Sequence, residues 1–127
     1  MANILVIDDD PTVRDVLGDM LTMAGYHVAA ADGITAMDEF ERKPFDVVIA
    51  DIFMPGEDGI TTIHRIRDQD PFVGIVAITG GAKCGTYDVL RISVELGADL
   101  GLLKPISQAK LLATVAEAQE RRQLRCA

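Results

Sequence analysis

Basic charge is scarce in this sequence. Twelve Lys and Arg stand against twenty Asp and Glu in 127 residues, for a net charge of -8. With no basic surplus to release counterions, the balance argues against general binding to a phosphate backbone, though not against a small local basic contact. Cysteine is rarer still. Only Cys84 and Cys126 occur, and they fit neither a zinc spacing nor a C-x-x-C pair. Both are expected to be free thiols in a reducing compartment. No apolar stretch approaches bilayer length, so membrane insertion is not expected. The opening MANILVIDDD has no basic n-region and meets acid after four apolar residues, unlike a secretory leader. The expected address is cytoplasmic. Also absent are the G-x-x-x-x-G-K-[ST] phosphate loop and a G-x-G-x-x-G turn after the first apolar run.

What is present is ordinary globular material. Hydrophobic residues make up 49% and charged residues 25%, enough for one domain that buries about two-thirds of its extended surface. Ile4–Ile7 is a short continuous apolar run, the mark of a strand buried on both faces. Asp10 then supplies a helix cap, and Pro11 occupies the first helical position, where a missing N–H costs nothing. Val13, Val16, Leu17, Met20, Leu21 and Ala24 form one helical stripe, and Gly25 closes it. The pattern repeats. Strands are expected near 26–31, 46–50, 74–78 and 99–103, with helices near 33–42, 59–67, 86–96 and 107–122. Five strands alternating with five helices predict an open, doubly wound parallel α/β sheet.

The polar residues that carry chemistry fall at strand ends. Asp8, Asp9 and Asp10 follow the first strand, Asp51 the third, Thr79 the fourth and Lys104 the fifth. In such a sheet these points converge beyond the C-terminal edge. Crowded carboxylates repel each other, and a divalent cation removes that penalty. All-oxygen ligands favour Mg²⁺, which keeps part of its water shell. A carboxylate beside such a metal is a candidate phosphoryl acceptor, and Asp51 is placed for it. Lys104 is placed to pair with Asp51 or with the phosphoryl group. Thr79 offers a hydroxyl, followed by the small residues Gly80, Gly81 and Ala82. His27 and His64 lie away from these ends and read as structural or surface residues.

ILVIDDD, DVVIADIFMPGEDG, ITG and LLKPI, in that order, resemble the receiver domain of two-component response regulators. The resemblance covers essentially the whole chain, 1–127, with 119–127 as helix end or the start of a linker. It implies a flavodoxin-like five-stranded sheet of order 2-1-3-4-5. It implies that Asp51 is phosphorylated, that Asp9 and Asp51 ligate Mg²⁺ with the Phe53 carbonyl, and that Asp8 reaches the metal through water. Lys104 resembles the lysine that contacts the phosphoryl group, and Thr79 the hydroxyl switch. The implied donor is a phosphohistidine on a sensor kinase or phosphotransfer protein, with small acyl phosphates as substitutes. The implied output is a downstream protein or an output domain.

Three departures stand out. Leu102 sits where family members often carry a Tyr or Phe whose rotation reports phosphorylation. Glu57 replaces a usually apolar residue. Phe53 and Gly81 occupy positions that, by the resemblance, flank the path of attacking water, and a Phe side chain offers that water no hydrogen bond. Slow self-dephosphorylation is therefore expected, and a phosphoryl half-life of a second or less would contradict it. Three other readings compete: a Mg²⁺-dependent phosphohydrolase, a flavodoxin-like cofactor binder, and a degenerate receiver that only binds partners. The first lacks an acid two residues after Asp51, and the second lacks a Ser/Thr/Gly phosphate loop.

Overall fold

The computed structural model describes residues 2–54, 57–80, 91, 94–95 and 97–126, with Glu57 and Asp58 in backbone only. Five parallel strands form the sheet: β1 (Asn3–Ile7), β2 (His27–Ala31), β3 (Val47–Asp51), β4 (Gly74–Thr79) and β5 (Leu100–Leu103). Their order is β2-β1-β3-β4-β5. This is the flavodoxin-like α/β fold expected from the sequence. Every pairing is parallel, and the register sets Ile7 beside Ala50, Asp51 beside Ile78, and Thr79 beside Leu103.

The helices are α1 (Pro11–Met23), α2 (Ala36–Arg42), α3 (Gly59–Gln69) and a C-terminal helix (Gln108–Cys126). Helix α1 begins as expected. The Asp10 side chain accepts the Thr12 N–H at 2.9 Å, and Pro11 opens the first turn. Gly25, at φ 100°, closes it in a conformation that L side chains avoid. Ser107 Oγ accepts the Lys110 N–H and caps the last helix. The helix expected at 86–96 lies mostly outside the described residues, as do Gly81 and Cys84; Arg91, Val94 and Glu95 are helical. A short antiparallel ribbon, Phe53–Met54 against Glu57–Asp58, follows β3 and was not expected.

Alternation along each strand divides the core in two. Leu5, Ile7, Val48, Ala50, Ile75 and Ala77 face Met37, Phe40, Ile63 and Ile66 of α2 and α3. Ile4, Val6, Val47, Ile49, Val76 and Ile78 face Leu17 and Leu21 of α1 and Leu111, Val115 and Ala118 of the C-terminal helix. Edge strand β2 is the least covered, which explains its weak apolar signal. Val16, expected to face inward, is 45% exposed. It borders a cavity instead, as described below.

The C-terminal helix lies very close to the sheet at one point. A Cβ on Gly74 would stand 2.7 Å from the Ala118 carbonyl oxygen. A backbone neighbour gives way poorly, so Gly74→Ala is expected to cost about 2 kcal/mol in urea denaturation. Wild-type stability in that variant would show that the helix shifts freely.

Ion pairs fix the far end of the same helix. Asp99, just before β5, is their hub. Its carboxylate accepts from the Ile75 N–H at 2.9 Å, from Arg67 at 3.2 Å and from Arg125 at 2.8 Å. Arg67 also donates to the carbonyls of Gly97 and Val73, and Arg125 to those of Phe72 and Val73. Arg121 donates to the Asp99 carbonyl, and Arg122 pairs with Asp46 at 3.4 Å. Burial pulls the Arg67 guanidinium below its ordinary pKa, against the pull of the Asp99 carboxylate. Among the described residues, no helix is long and apolar enough to cross a membrane.

Candidate phosphoacceptor site

Three of the expected residues meet at the C-terminal edge of the sheet. Asp8 follows β1, and its N–H donates to the Ala31 carbonyl on β2 at 3.1 Å. Its Oδ1 accepts the Asp10 N–H at 2.9 Å. Asp51 ends β3, and its Oδ1 accepts the Phe53 N–H at 3.0 Å. Lys104 follows β5 across a cis peptide bond to Pro105. The Lys104 N–H donates to the Thr79 carbonyl at 2.9 Å. Its Nζ lies 2.8 Å from Asp8 Oδ2 and 3.0 Å from Asp51 Oδ2. One ammonium therefore serves two buried carboxylates drawn from different strands.

Two glycines make room for this. Gly59 opens α3 against the end of β3, and a Cβ there would overlap the Asp51 carbonyl and stand 2.6 Å from Ile52 Cα. Gly80 lies along the Lys104 stem, where a Cβ would be 3.3 Å from Cδ. Thr79, just before Gly80, is fully buried. An apolar cavity of about 400 Å³ opens next to Lys104, lined by Val13, Val16, Leu17, Gly80, Pro105 and Ile106 among others. The exposure of Val16 is thus exposure to a concave wall beside the site.

The electrostatics follow from crowding. Burial pushes the Asp51 carboxyl above its ordinary value, outweighing the Phe53 N–H and the Lys104 ammonium; the nearby Asp8 charge adds to the rise. Burial pulls Lys104 down, but hydrogen bonds and charge from Asp8 and Asp51 outweigh it and leave its amine above the ordinary value.

Asp9 is not part of this contact. Its Oδ1 accepts the Gly33 N–H, on the loop after β2, at 2.9 Å. Among the described residues, no cluster of three or more carboxylate, imidazole or thiol side chains is gathered to hold a metal. The donor chemistry nevertheless fits Mg²⁺. Asp8 and Asp51 offer hard carboxylate oxygens, two acids sharing one ammonium. Mg²⁺ keeps several waters and needs only one or two carboxylates.

His27 and His64 are exposed, away from the site. Sequence reasoning missed Arg14. Its guanidinium donates to the Asp8 carbonyl at 2.6 Å. The signal available was a lone cation one turn into a helix that follows three acids.

A family model described as the response regulator receiver domain matches residues 4–116. The chain belongs to this family. Family members are phosphoacceptor receivers of two-component signalling. Over 113 residues the receiver is 37% identical to the probable transcriptional regulator ycf27 of Guillardia theta, covering 88% of this chain and 43% of that protein. Over 117 residues it is 32% identical to the chemotaxis protein CheY of Treponema pallidum (strain Nichols), covering 89% and 79%. Among solved structures it is similar to NtrX from Brucella abortus in complex with ADP, with a TM-score of 0.91 and 27% identity. That match covers 98% of this chain but only 28% of NtrX. A CheY-like receiver domain protein from Methanospirillum hungatei JF-1 matches over 98% of both chains, with a TM-score of 0.87 and 25% identity. The receiver thus spans less than half of the Guillardia theta regulator.

Proposed function

We propose that this receiver takes a phosphoryl group onto Asp51 from a phosphohistidine of a sensor kinase or phosphotransfer protein. One observation carries the reading: Asp51 is a buried carboxylate at a strand end, held by the Phe53 N–H and the Lys104 ammonium. In the transfer, a carboxylate oxygen of Asp51 forms the new O–P bond as the donor's N–P bond breaks, and the imidazole leaves. Asp8, Asp9, Asp51 and the Phe53 carbonyl are the residues that would hold Mg²⁺, with Asp8 acting through water. When bound, Mg²⁺ neutralises charge on the phosphoryl oxygens. Lys104 is then released from its carboxylates to pair with the phosphoryl group, and the Thr79 hydroxyl turns toward it. The apolar cavity beside Lys104 gives the donor protein a surface on which to seat.

A phosphoryl group brings nearly two negative charges, enough to draw Thr79 and Lys104 inward and bias the receiver between two arrangements. That shift would alter binding to a downstream protein or an output domain. The whole chain acts as one receiver on this reading, including the last helical turns that Arg121, Arg122 and Arg125 hold to the sheet.

One observation favours a second reading, an interaction module that no longer switches. Leu102 is buried among Val76, Ile78 and Leu111 and has no ring to swing. Labelling with acetyl phosphate decides between them. Wild type is expected to take up phosphoryl with Mg²⁺ and not with a chelator, and Asp51→Asn is expected to take up none. Label retained in Asp51→Asn would overturn the assignment. No label from any competent donor would favour the interaction module.

A further inference from the structure

Arg14 belongs to the second half-turn of α1, six residues after the strand end it touches. Helix side chains lean toward the N-terminus, so its guanidinium reaches back over the first turn to the Asp8 carbonyl. That carbonyl belongs to the rigid peptide unit that also carries the Asp9 nitrogen. Holding its oxygen fixes the plane from which the Asp9 side chain leaves. The Asp8 N–H, on the other side of the residue, is held by Ala31.

The other end of Asp9 is held by the loop after β2, where its carboxylate accepts the Gly33 N–H. Asp32, next to Gly33, is turned by hydrogen bonds from the Thr35 N–H and hydroxyl, both 2.9 Å. Those bonds hold the Asp32 carboxyl below its ordinary range, and the Arg14 charge adds to the effect. Arg14 therefore holds the peptide that launches Asp9, while the Gly33 loop receives the other end of that side chain. The macrodipole opposes a cation this near a helix N-terminus, so helix stability gives no reason for it.

We propose that Arg14 is a positioning residue for the acid pair: it braces the Asp8–Asp9 peptide so that Asp9, seated on the Gly33 N–H, is presented to a divalent cation. The inference rests on the reading of Asp8 and Asp9 as the metal side of the site. It makes a prediction whose sign separates it from simple electrostatics. Removing a positive charge beside an acidic site tightens cation binding by Coulomb attraction alone. Removing a brace weakens it.

The test is an NMR titration of ¹⁵N-labelled wild type, Arg14→Gln and Arg14→Lys with MgCl₂, with thermal unfolding of each. Arg14→Gln is expected to bind Mg²⁺ roughly 10-fold more weakly, in the range seen when a residue that orients a metal ligand is lost. Arg14→Lys keeps the charge and a donor and is expected to fall between. In metal-free protein, the Gly33 amide is expected to exchange with solvent faster in Arg14→Gln than in wild type. Unchanged or tighter Mg²⁺ binding in Arg14→Gln, with unchanged Gly33 exchange, would overturn the brace. If Arg14→Gln does not fold, Arg14→Lys binding Mg²⁺ as tightly as wild type would do the same. Wild type that shows no response to Mg²⁺ would sink the metal reading instead, and Gly33 exchange would then decide the brace alone.

Discussion

Asp99→Ala is expected to lose about 4 kcal/mol of folding free energy, as measured by urea denaturation at neutral pH. The Asp99 side chain is 11% exposed and receives Arg67, Arg125 and the Ile75 N–H together. Its removal leaves two guanidiniums facing each other with no carboxylate between them. It also strands a strand N–H at the start of β4. The cost is that of breaking a buried pair by removing one partner; replacing the whole group with apolar residues would cost far less. Asp99→Asn keeps an acceptor for Ile75 and should lose about half as much. Because Arg121 and Arg125 belong to the last turns of the C-terminal helix, hydrogen exchange there should rise first in both variants. A loss below about 1 kcal/mol in Asp99→Ala would mean that the Phe72, Val73 and Gly97 carbonyls satisfy both arginines unaided.

Lys104→Met, with chelator present, is expected to lose about 3 kcal/mol at neutral pH, somewhat less because the Lys104 side chain is 24% exposed. The variant strands Asp8 and Asp51 as two buried carboxylates without a cation. The loss should depend on pH with a definite sign. Burial already sets the Asp51 carboxyl above its ordinary value, and removing the ammonium drives it higher. A native pKa above the unfolded one means that the folded chain binds more protons. Stability is then fully present below the ordinary carboxylate pKa and falls as pH rises through the native one. Lys104→Met should therefore regain stability on acidification from pH 7 toward about pH 4. Wild type should show a further loss at alkaline pH, as the raised Lys104 amine is titrated. Adding Asp51→Asn to Lys104→Met should restore much of the loss by removing one of the two stranded charges. A pH-independent deficit would point to lost packing of the lysine stem instead.

Much of this was legible in the residues. Ile4–Ile7 and Val47–Ala50 announced strands covered on both sides, because only a parallel sheet between helix layers buries every residue of a run. Asp10-Pro11 announced where α1 starts, since capping chemistry is local. Asp8, Asp51 and Lys104 were identified by their positions at strand ends, and the fold brings them together. Three features were not legible. Val16 fits the apolar stripe of α1, yet it lines an open cavity, because the chain at Pro105 and Ile106 does not close over it. Arg121, Arg122 and Arg125 read as a charged helix end or linker; their partners Asp46 and Asp99 are distant in sequence. Arg14 drew no expectation from the sequence, because its acceptor is a backbone carbonyl, which no side-chain pattern reveals.

The sequence by itself determined the alternation of buried strands and two-faced helices and the chemical identity of each strand-end residue. Those depend on periodicity and local capping, which act within a few residues. Only the tertiary structure decided that one ammonium bridges Asp8 and Asp51, that Asp9 is held apart on Gly33, and that Asp99 anchors the last helix. These depend on strand register and helix docking, which bring together groups 24 to 96 residues apart, and their strength comes from burial that no single segment possesses.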